Sequence, residues 1–233
     1  MLETTLCYIE KDEMYLMLHR IKKKNDLNQG KWIGVGGKFE QDESPDECMR
    51  REIKEETDLD VISYRYCGIV TFVSDQYETE YMHLFTIQDF TGSIKDCEEG
   101  VLEWIPKNTL SFLPHWDGDL IFLSLILDKA RPFFSLKLVY QGDYLVRALL
   151  DGKRAFVTSR LLLIPLKEET VWTEKYAVIR HDTDEVIGNA GLVKAGETTE
   201  EFLAKGWIRE EFQAEGYLEE ALQALRNSIE DLK

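Results

Sequence analysis

Short apolar runs separated by polar turns fill the first 150 residues and predict a β-rich domain with two helices. The expected strands lie at 4–9, 14–20, 61–73, 80–87, 101–105, 135–140 and 144–148. The first two strands flank the polar segment 10–13, which indicates a hairpin. Helices are expected at 45–57 and 120–129, where the apolar positions follow the helical period.

The pattern restarts near residue 150, which indicates a boundary between a domain at 1–150 and a smaller domain at 151–233. In the second domain, strands are expected at 159–166, 176–179 and 186–193. Residues 217–232 predict an amphipathic helix, and its apolar side is formed by Leu218, Leu222, Leu225 and Ile229. We therefore expect a first domain of strands and two helices, followed by a small α+β domain.

The charge of the chain limits its partners. Its 233 residues carry a formal net charge of −16, which disfavours nucleic acid polymers and anionic membranes because both require a basic surface. The apolar run at 120–127 is too short to cross a bilayer, and the N-terminus does not resemble a signal peptide. The four cysteines occur singly, which predicts neither a zinc site nor a disulfide framework. These features predict a cytoplasmic protein, and they leave a small anionic substrate open if metal ions supply the positive charge.

The helix expected at 45–57 carries the candidate chemistry. A capping box at 44–47 starts it, with proline in its first turn. Glu52, Glu55 and Glu56 follow at i, i+3 and i+4, which places three carboxylates on one face. Like charges repel at this distance, so the cluster costs stability unless a cation lies among them, and oxygen ligands suit Mg²⁺ or Mn²⁺. A solvated acidic face is the alternative interpretation of this spacing alone.

The residues around this helix resemble the Nudix box, GX5EX7REUXEEXGU, in which U is aliphatic. Gly37, Glu43 and the run 51–59 match its defining positions, except that Asp58 stands where the family has glycine. A left-handed residue is expected there, and Asp tolerates that conformation better than most residues. The resemblance implies an α/β/α sandwich with a mixed sheet, a divalent metal ion and hydrolysis of a phosphoanhydride bond.

The resemblance also implies roles for single residues. Glu55 and Glu56 are expected to be the principal metal ligands, and Glu52 a further ligand or the general base. The backbone carbonyl of Gly36 is an expected ligand, and Glu99, just before the strand at 101–105, is expected to reach the metal. The four glutamates are therefore the candidate catalytic residues. Structural roles are expected for Gly37, Glu43 and Arg51, and a phosphate contact for Lys38.

The expected mechanism follows from these charges. Mg²⁺ neutralises phosphate oxygens and lowers the pKa of a bound water, and a carboxylate can then take the proton of that water. Attack on phosphorus would release a nucleoside monophosphate and pyrophosphate.

Residues 30–38 and 113–119 resemble the corresponding segments of MutT-type enzymes, which sanitise oxidised purine nucleotides such as 8-oxo-dGTP in DNA repair. This resemblance covers about residues 1–148. Trp116 is expected to stack on the base, and Asp119 to read its edge. The alternatives are a core tryptophan and an aspartate that caps the following helix. Ile33 replaces an asparagine that reads the base in some relatives, which predicts altered purine selectivity.

Three functions remain open at this point. The leading hypothesis is a Mg²⁺-dependent hydrolase of oxidised purine nucleoside triphosphates. The second is a Nudix hydrolase of another nucleoside diphosphate derivative, such as ADP-ribose or a dinucleotide. The third is a nucleotide-sensing protein without turnover, and the intact set of glutamates argues against it.

The second domain resembles part of a GNAT-type acetyltransferase. Residues 158–166 are similar to the first strand of that family, 185–192 to its central hairpin and 213–218 to its acyl-CoA loop. Two helices that the family has between its first two strands are missing. Leu218 stands in place of a small residue, and Glu215 adds negative charge where a pyrophosphate would bind. The resemblance therefore implies a shortened, inactive relative that serves packing or association, including association into a homodimer.

Overall fold

The structure is a computed structural model that describes residues 1–22, 26–166, 172–196 and 201–230. Backbone contacts divide the chain into two units, Met1–Val146 and Arg147–Lys233. This division lies close to the boundary expected near residue 150. Each unit contains a buried apolar cluster of its own.

Within its described residues, the first unit has seven strands and two α-helices. The strands are β1 (Leu2–Lys11), β2 (Met14–His19), β3 (Trp32–Ile33), β4 (Asp60–Ser74), β5 (Glu80–Thr91), β6 (Val101–Pro106) and β7 (Phe134–Gln141). The helices are α1 (Pro45–Thr57) and α2 (Asp119–Leu127), and a 3₁₀ helix covers Lys107–Phe112. The strand order is β7-β4-β5-β1-β2-β3, with β6 paired to β2. The β1–β5 and β4–β7 pairs are parallel and the others antiparallel, so the sheet is mixed, as the resemblance to the Nudix box implies.

The segment that leads into α1 lies inside this sheet. β1 and β2 pair next to their turn and then diverge, and residues 32–38 pair with both strands. Ile33 lies opposite Leu18 on β2, whereas Val35 and Lys38 lie opposite Cys7 and Thr4 on β1. This insertion brings the two glycines at 36–37 to the sheet just ahead of α1.

The two helices cover opposite faces of the sheet. Successive side chains of a strand point to opposite faces. On β1, Cys7 and Ile9 pack with Ile53 of α1 in one buried cluster. Tyr8 lies between them in sequence, and its ring centre is 6.1 Å from that of Phe122 on α2. The first unit is therefore the α/β/α sandwich that the resemblance to the Nudix box implies.

Two element boundaries differ from the sequence prediction. The first hairpin turns at Asp12 and Glu13 alone, and their φ values of 51° and 58° fit a type I′ turn. Helix α2 ends at Leu127, before the expected end at residue 129. The backbone of Asp128 is extended, and its side chain accepts a hydrogen bond from the amide of Ala130, so the polar residues after α2 form a turn.

The second unit is an antiparallel arrangement of strands with one α-helix. Its strands are β8 (Tyr144–Leu150), β9 (Lys153–Val157), β10 (Leu161–Pro165), β11 (Glu174–Arg180), β12 (Glu185–Lys194) and β13 (Phe202–Ile208). Consecutive strands from β8 to β13 pair with one another. A 3₁₀ helix at Glu210–Glu215 and helix α3 (Tyr217–Glu230) follow. The strands β9 and β13 are not predicted by the sequence.

Helix α3 buries a different stripe from the one predicted. Tyr217, Ala221 and Leu225 are buried against the strands, and Ser228 continues this stripe. The predicted residues Leu218, Leu222 and Ile229 pack only at its flank, while Leu225 belongs to both sets. The predicted end of the helix at residue 232 lies outside the described residues.

The most apolar helix, α2, has nine residues. Across the described parts of the chain, no helix has both the length and the apolar character needed to cross a membrane.

Candidate active site

Helix α1 begins and ends as its sequence predicts. Ser44 is the N-cap, and its side chain and that of Glu47 form the reciprocal hydrogen bonds of a capping box. Asp58 is the C-cap, with φ of 63° and ψ of 14° in the left-handed region. Its amide donates to the carbonyl of Lys54 at 3.0 Å. These two caps fix the positions at which the glutamates of the helix project.

The three glutamates of α1 differ in exposure. Met49 and Ile53 are fully buried, as expected for the apolar face. Glu56 lies beside that face and is only 8% exposed. The side chains of Glu52 and Glu55 are 13% and 58% exposed. The predicted spacing therefore spans a gradient from buried to solvated carboxylates.

The glycine loop at 36–37 packs directly on two of these carboxylates. The amide of Gly36 donates to Glu56 Oε2 at 3.0 Å. A Cβ atom on Gly37 would lie 2.5 Å from the carboxylate of Glu52, and one on Gly36 would lie 2.2 Å from the carbonyl oxygen of Thr5. Glycine is required at both positions because the loop lies between β1 and the acidic side chains.

Arg51 connects α1 to the loop before it. Its Nε donates to Glu43 Oε1 at 2.7 Å and its Nη2 to Glu43 Oε2 at 2.9 Å, so the two side chains form a bidentate pair. These hydrogen bonds lower the pKa of Glu43 to about 2. The same guanidinium donates to the carbonyl of Lys38 and to the carboxylates of Glu52 and Glu55.

Glu99 approaches this cluster from the segment before β6. Its carboxylate forms an ion pair with Arg20, at the end of β2. Glu98, its neighbour, is exposed. The charge of Glu99 also contributes to raising the pKa values of Glu52 and Glu56.

The electrostatics of the cluster favour a bound cation. Burial raises the pKa of Glu56 to about 8, and Glu99 and Glu52 add to the shift. Burial also raises the pKa of Glu52, with Glu55 and Glu99 contributing. A divalent cation bound among these carboxylates would remove this repulsion, so the residues present fit such an ion.

The carboxylates of this cluster are not arranged around a common point. In the portions of the chain described, no three histidine, cysteine, aspartate or glutamate side chains are arranged as metal ligands. Arg51 holds Glu52 and Glu55, and Arg20 holds Glu99. Each of these ion pairs uses one oxygen of the glutamate carboxylate.

Trp116 and Asp119 meet at the start of α2. Trp116 is only 7% exposed, and its ring packs edge-on against Phe72 and Tyr140. The carboxylate of Asp119 accepts a hydrogen bond from the Trp116 amide at 3.3 Å, before the helix begins. Burial raises the pKa of Asp119 to about 7. The tryptophan thus has the burial of a core residue, and the aspartate binds the turn rather than an amide of the helix.

Two residues that the sequence analysis does not single out contact Trp116. The indole N–H of Trp116 donates to Asn28 Oδ1 at 2.9 Å. The ammonium of Lys31 lies 4.3 Å from the centre of the tryptophan ring. Ile33 lies half-buried on β3, and Lys38 is exposed at the edge of the glycine loop. Asn28 and Lys31 lie within the segment before the box, but their partner is 88 positions away from Asn28, so no local pattern identifies them.

Comparisons with known proteins agree with this geometry. The family model of the NUDIX domain matches residues 3–125. An oxidized purine nucleoside triphosphate hydrolase of Danio rerio is 32% identical over 132 residues, which are 55% of this chain and 83% of that protein. A CTP pyrophosphohydrolase of Escherichia coli is 29% identical over 138 residues, 57% of this chain and 97% of that protein.

A solved structure is also similar to this chain. The crystal structure of the MutT protein from Bacillus halodurans is 26% identical and has a TM-score of 0.58. The match covers 66% of this chain and 99% of that one. By its family match, its box residues and its fold, the chain belongs to the Nudix hydrolases, pyrophosphohydrolases that act on small nucleotide substrates and generally use divalent metal ions.

Proposed function

We propose that the chain is a Mg²⁺-dependent pyrophosphohydrolase that converts oxidised purine nucleoside triphosphates, such as 8-oxo-dGTP, to the monophosphate and pyrophosphate. One observation carries this proposal. Glu56, which is buried, and Glu52 lie against the glycine loop, and the same unit contains a buried tryptophan and aspartate at the start of α2. A triphosphate with a purine base has one end suited to each group.

The carboxylates would hold the metal. Glu52, Glu55, Glu56 and Glu99 would supply side-chain oxygens, and Gly36 its carbonyl. When bound, Mg²⁺ or Mn²⁺ supplies positive charge for the phosphates and acidifies a bound water. The hydrogen bond from the Gly36 amide orients Glu56 toward the loop. Glu52 is a further ligand or the base that takes the proton of the attacking water.

The remaining residues would bind the nucleotide. Lys38 is exposed beside the loop and can contact a phosphate. Trp116 offers a ring face on which Lys31 now lies, so a stacked base would take the place of the Lys31 ammonium. Asp119 is held by the Trp116 amide, and a buried carboxyl with a raised pKa can donate or accept at a base edge.

The relatives also support a second candidate base. A similar protein is named as a CTP pyrophosphohydrolase, so a pyrimidine triphosphate belongs in any substrate comparison. ADP-ribose and dinucleotides represent the other Nudix substrates.

A nucleotide panel with Mg²⁺ tests the proposal. Pyrophosphate and monophosphate release should be measured for 8-oxo-dGTP, dGTP, dATP, CTP, ADP-ribose and a dinucleotide. We expect the highest kcat/KM for 8-oxo-dGTP. A higher kcat/KM for CTP or ADP-ribose would reassign the substrate, and no turnover of any nucleotide would favour a sensing protein.

Variants of the base site sharpen the test. Trp116→Ala should raise KM for purine triphosphates roughly tenfold or more, because stacking on an aromatic ring contributes about 1–3 kcal/mol per base. Trp207→Ala is the matched control, since Trp207 is an exposed tryptophan of the second unit. A folded Trp116→Ala enzyme with unchanged KM for every nucleotide would remove this site from the proposal.

A further inference from the structure

A continuous chain of polar contacts links the acidic cluster to the candidate base site. It runs from Glu99 through Arg20, Asp26 and Asn28 to Trp116, all within the first unit. The two ends belong to groups that would bind opposite ends of a nucleotide. Asp26 stands in the middle of this chain.

The guanidinium of Arg20 joins two carboxylates. Its Nε donates to Asp26 Oδ2 at 2.7 Å, and its Nη2 lies 2.6 Å from the same oxygen. Its Nη1 pairs with Glu99. The side chains of Arg20 and Asp26 are 9% and 10% exposed, so this ion pair is shielded from water and stronger than a surface pair.

The second oxygen of Asp26 serves the other half of the chain. Oδ1 accepts from the backbone amide of Asn28 at 3.1 Å, which fixes the turn at residues 26–28. The carbonyl of Asn28's side chain then accepts the indole N–H of Trp116 at 2.9 Å. Moreover, the amide of Gly30 donates to the Arg20 carbonyl at 2.7 Å, so the loop is closed on the same residue.

We infer that Asp26 is a positioning residue that couples the metal end of the site to its base end. This inference rests on the proposed function, because it assigns Glu99 to the metal and Trp116 to the base. Asp26 contacts neither. It shares the charge of Arg20 and thereby leaves Glu99 able to turn toward a cation. It also holds Asn28 in place to fix the tryptophan ring.

Mutations can separate the roles of the two carboxylate oxygens of Asp26. Asp26→Asn retains an acceptor for the Asn28 amide but neutralises the partner of Arg20, which then relies on Glu99. Asn28→Ala leaves the Arg20 pair intact but removes the acceptor of the Trp116 indole. Asp26→Ala removes both functions. Asp89→Asn is the matched control, because Asp89 accepts a hydrogen bond from Ser63 and takes no part in this chain.

Two binding measurements read the two ends without turnover. Mn²⁺ affinity of the nucleotide-free protein is measured by calorimetry, and 8-oxo-dGMP affinity without metal by tryptophan fluorescence. Asp26→Asn should lower Mn²⁺ affinity about tenfold, as loss of a group that orients a metal ligand does. It should leave 8-oxo-dGMP affinity unchanged. Asn28→Ala should give the reverse pattern, Asp26→Ala should weaken both, and the control neither.

The inference is overturned if Asp26→Ala lowers the melting temperature while both affinities stay at the wild-type values. It is also overturned if Asp26→Asn and Asn28→Ala weaken both affinities to the same degree, which would indicate general loosening. If the wild-type protein hydrolyses 8-oxo-dGTP and no Asp26 variant changes either affinity, the coupling is overturned and the proposed activity is not. The predicted binding pattern without any hydrolysis would overturn the proposed activity and still support the coupling.

Discussion

At the scale of single residues, Asp58 shows how a departure from the family pattern is accommodated. It adopts the left-handed conformation expected of the family's glycine, and its carboxylate pairs with Lys54 at 2.9 Å on the surface. Asp58→Gly should raise the free energy of unfolding by up to about 1 kcal/mol, because glycine adopts this conformation without steric cost. Loss of the exposed ion pair with Lys54 offsets little of that gain, because surface ion pairs contribute little to stability.

Urea unfolding with Asp58→Ala as the control measures this effect. Alanine carries the same steric cost without a polar side chain, so it should be less stable than the wild type. A glycine variant less stable than the wild type would show that the Lys54 contact outweighs backbone strain.

Asp119 gives a prediction for pH dependence. Its folded-state pKa of about 7 exceeds the unfolded value of about 3.9 because the carboxyl is buried. The stability it contributes is therefore complete below about pH 4 and lost as the pH rises through 7. The gain in unfolding free energy of Asp119→Asn over the wild type should therefore be roughly 2–3 kcal/mol larger at pH 8 than at pH 5.

The exposed neighbour Asp117 provides the control for that experiment. Urea unfolding at both pH values should show a pH-dependent gain for Asp119→Asn and none for Asp117→Asn. An equal, pH-independent effect of both substitutions would contradict the burial of the Asp119 charge.

At the scale of elements, the sequence predicts α1 to the residue because caps and spacing are local signals. It predicts neither β3, which exists through pairing with Leu18, nor β13. In β13 the outward residues Leu203 and Trp207 are larger than the inward Ala204 and Gly206, which hides the usual apolar alternation.

In the acidic site, too, contacts between distant parts of the chain are not predicted by the sequence. The sequence identifies its glutamates through their spacing, but Arg20 pairs with Glu99 across 79 positions. Such a contact depends on the meeting of β2 with the segment before β6, which no local pattern encodes. The burial of Trp116 likewise depends on Phe72 and Tyr140, from two other strands.

The gradient of exposure along α1 predicts different stabilities for two variants. Without metal, Glu56→Gln should raise the melting temperature, because it replaces a buried carboxylate whose charge is opposed by burial and by nearby acids. Glu55→Gln should change it little, since Glu55 is mostly exposed and contributes only a surface ion pair with Arg51. Scanning calorimetry in a chelator would decide this, and a destabilised Glu56→Gln protein would mean that the hydrogen bond from Gly36 dominates.

At the scale of the whole molecule, the proposed site lies entirely within Met1–Val146. A chain that ends at residue 150, the last residue of β8, should therefore hydrolyse 8-oxo-dGTP with kcat/KM near that of the full chain. Steady-state assays of both chains at equal Mg²⁺ test this. A truncated chain that folds but does not turn over would mean that the second unit contributes to the site.

The function of the second unit is a separate matter from the hydrolase site. Its resemblance to an acetyltransferase stays a prediction, as does its role in packing or association. Gly216 lies between the 3₁₀ helix and α3 and has a φ of 78°. Glu215 and Leu218, the two residues that differ from the family's acyl-CoA loop, lie on either side of it.

Turnover by Glu56→Gln shows whether the carboxylates of α1 support metal-dependent hydrolysis. Pyrophosphate release from 8-oxo-dGTP is measured with saturating Mg²⁺ and with a chelator, using Glu103→Gln, an exposed carboxylate of β6, as control. Wild type and control should turn over only with Mg²⁺, and Glu56→Gln should be slower by roughly 100-fold or more. Near wild-type turnover by a folded Glu56→Gln protein, or turnover that persists in the chelator, would show that hydrolysis does not depend on a metal held by these carboxylates.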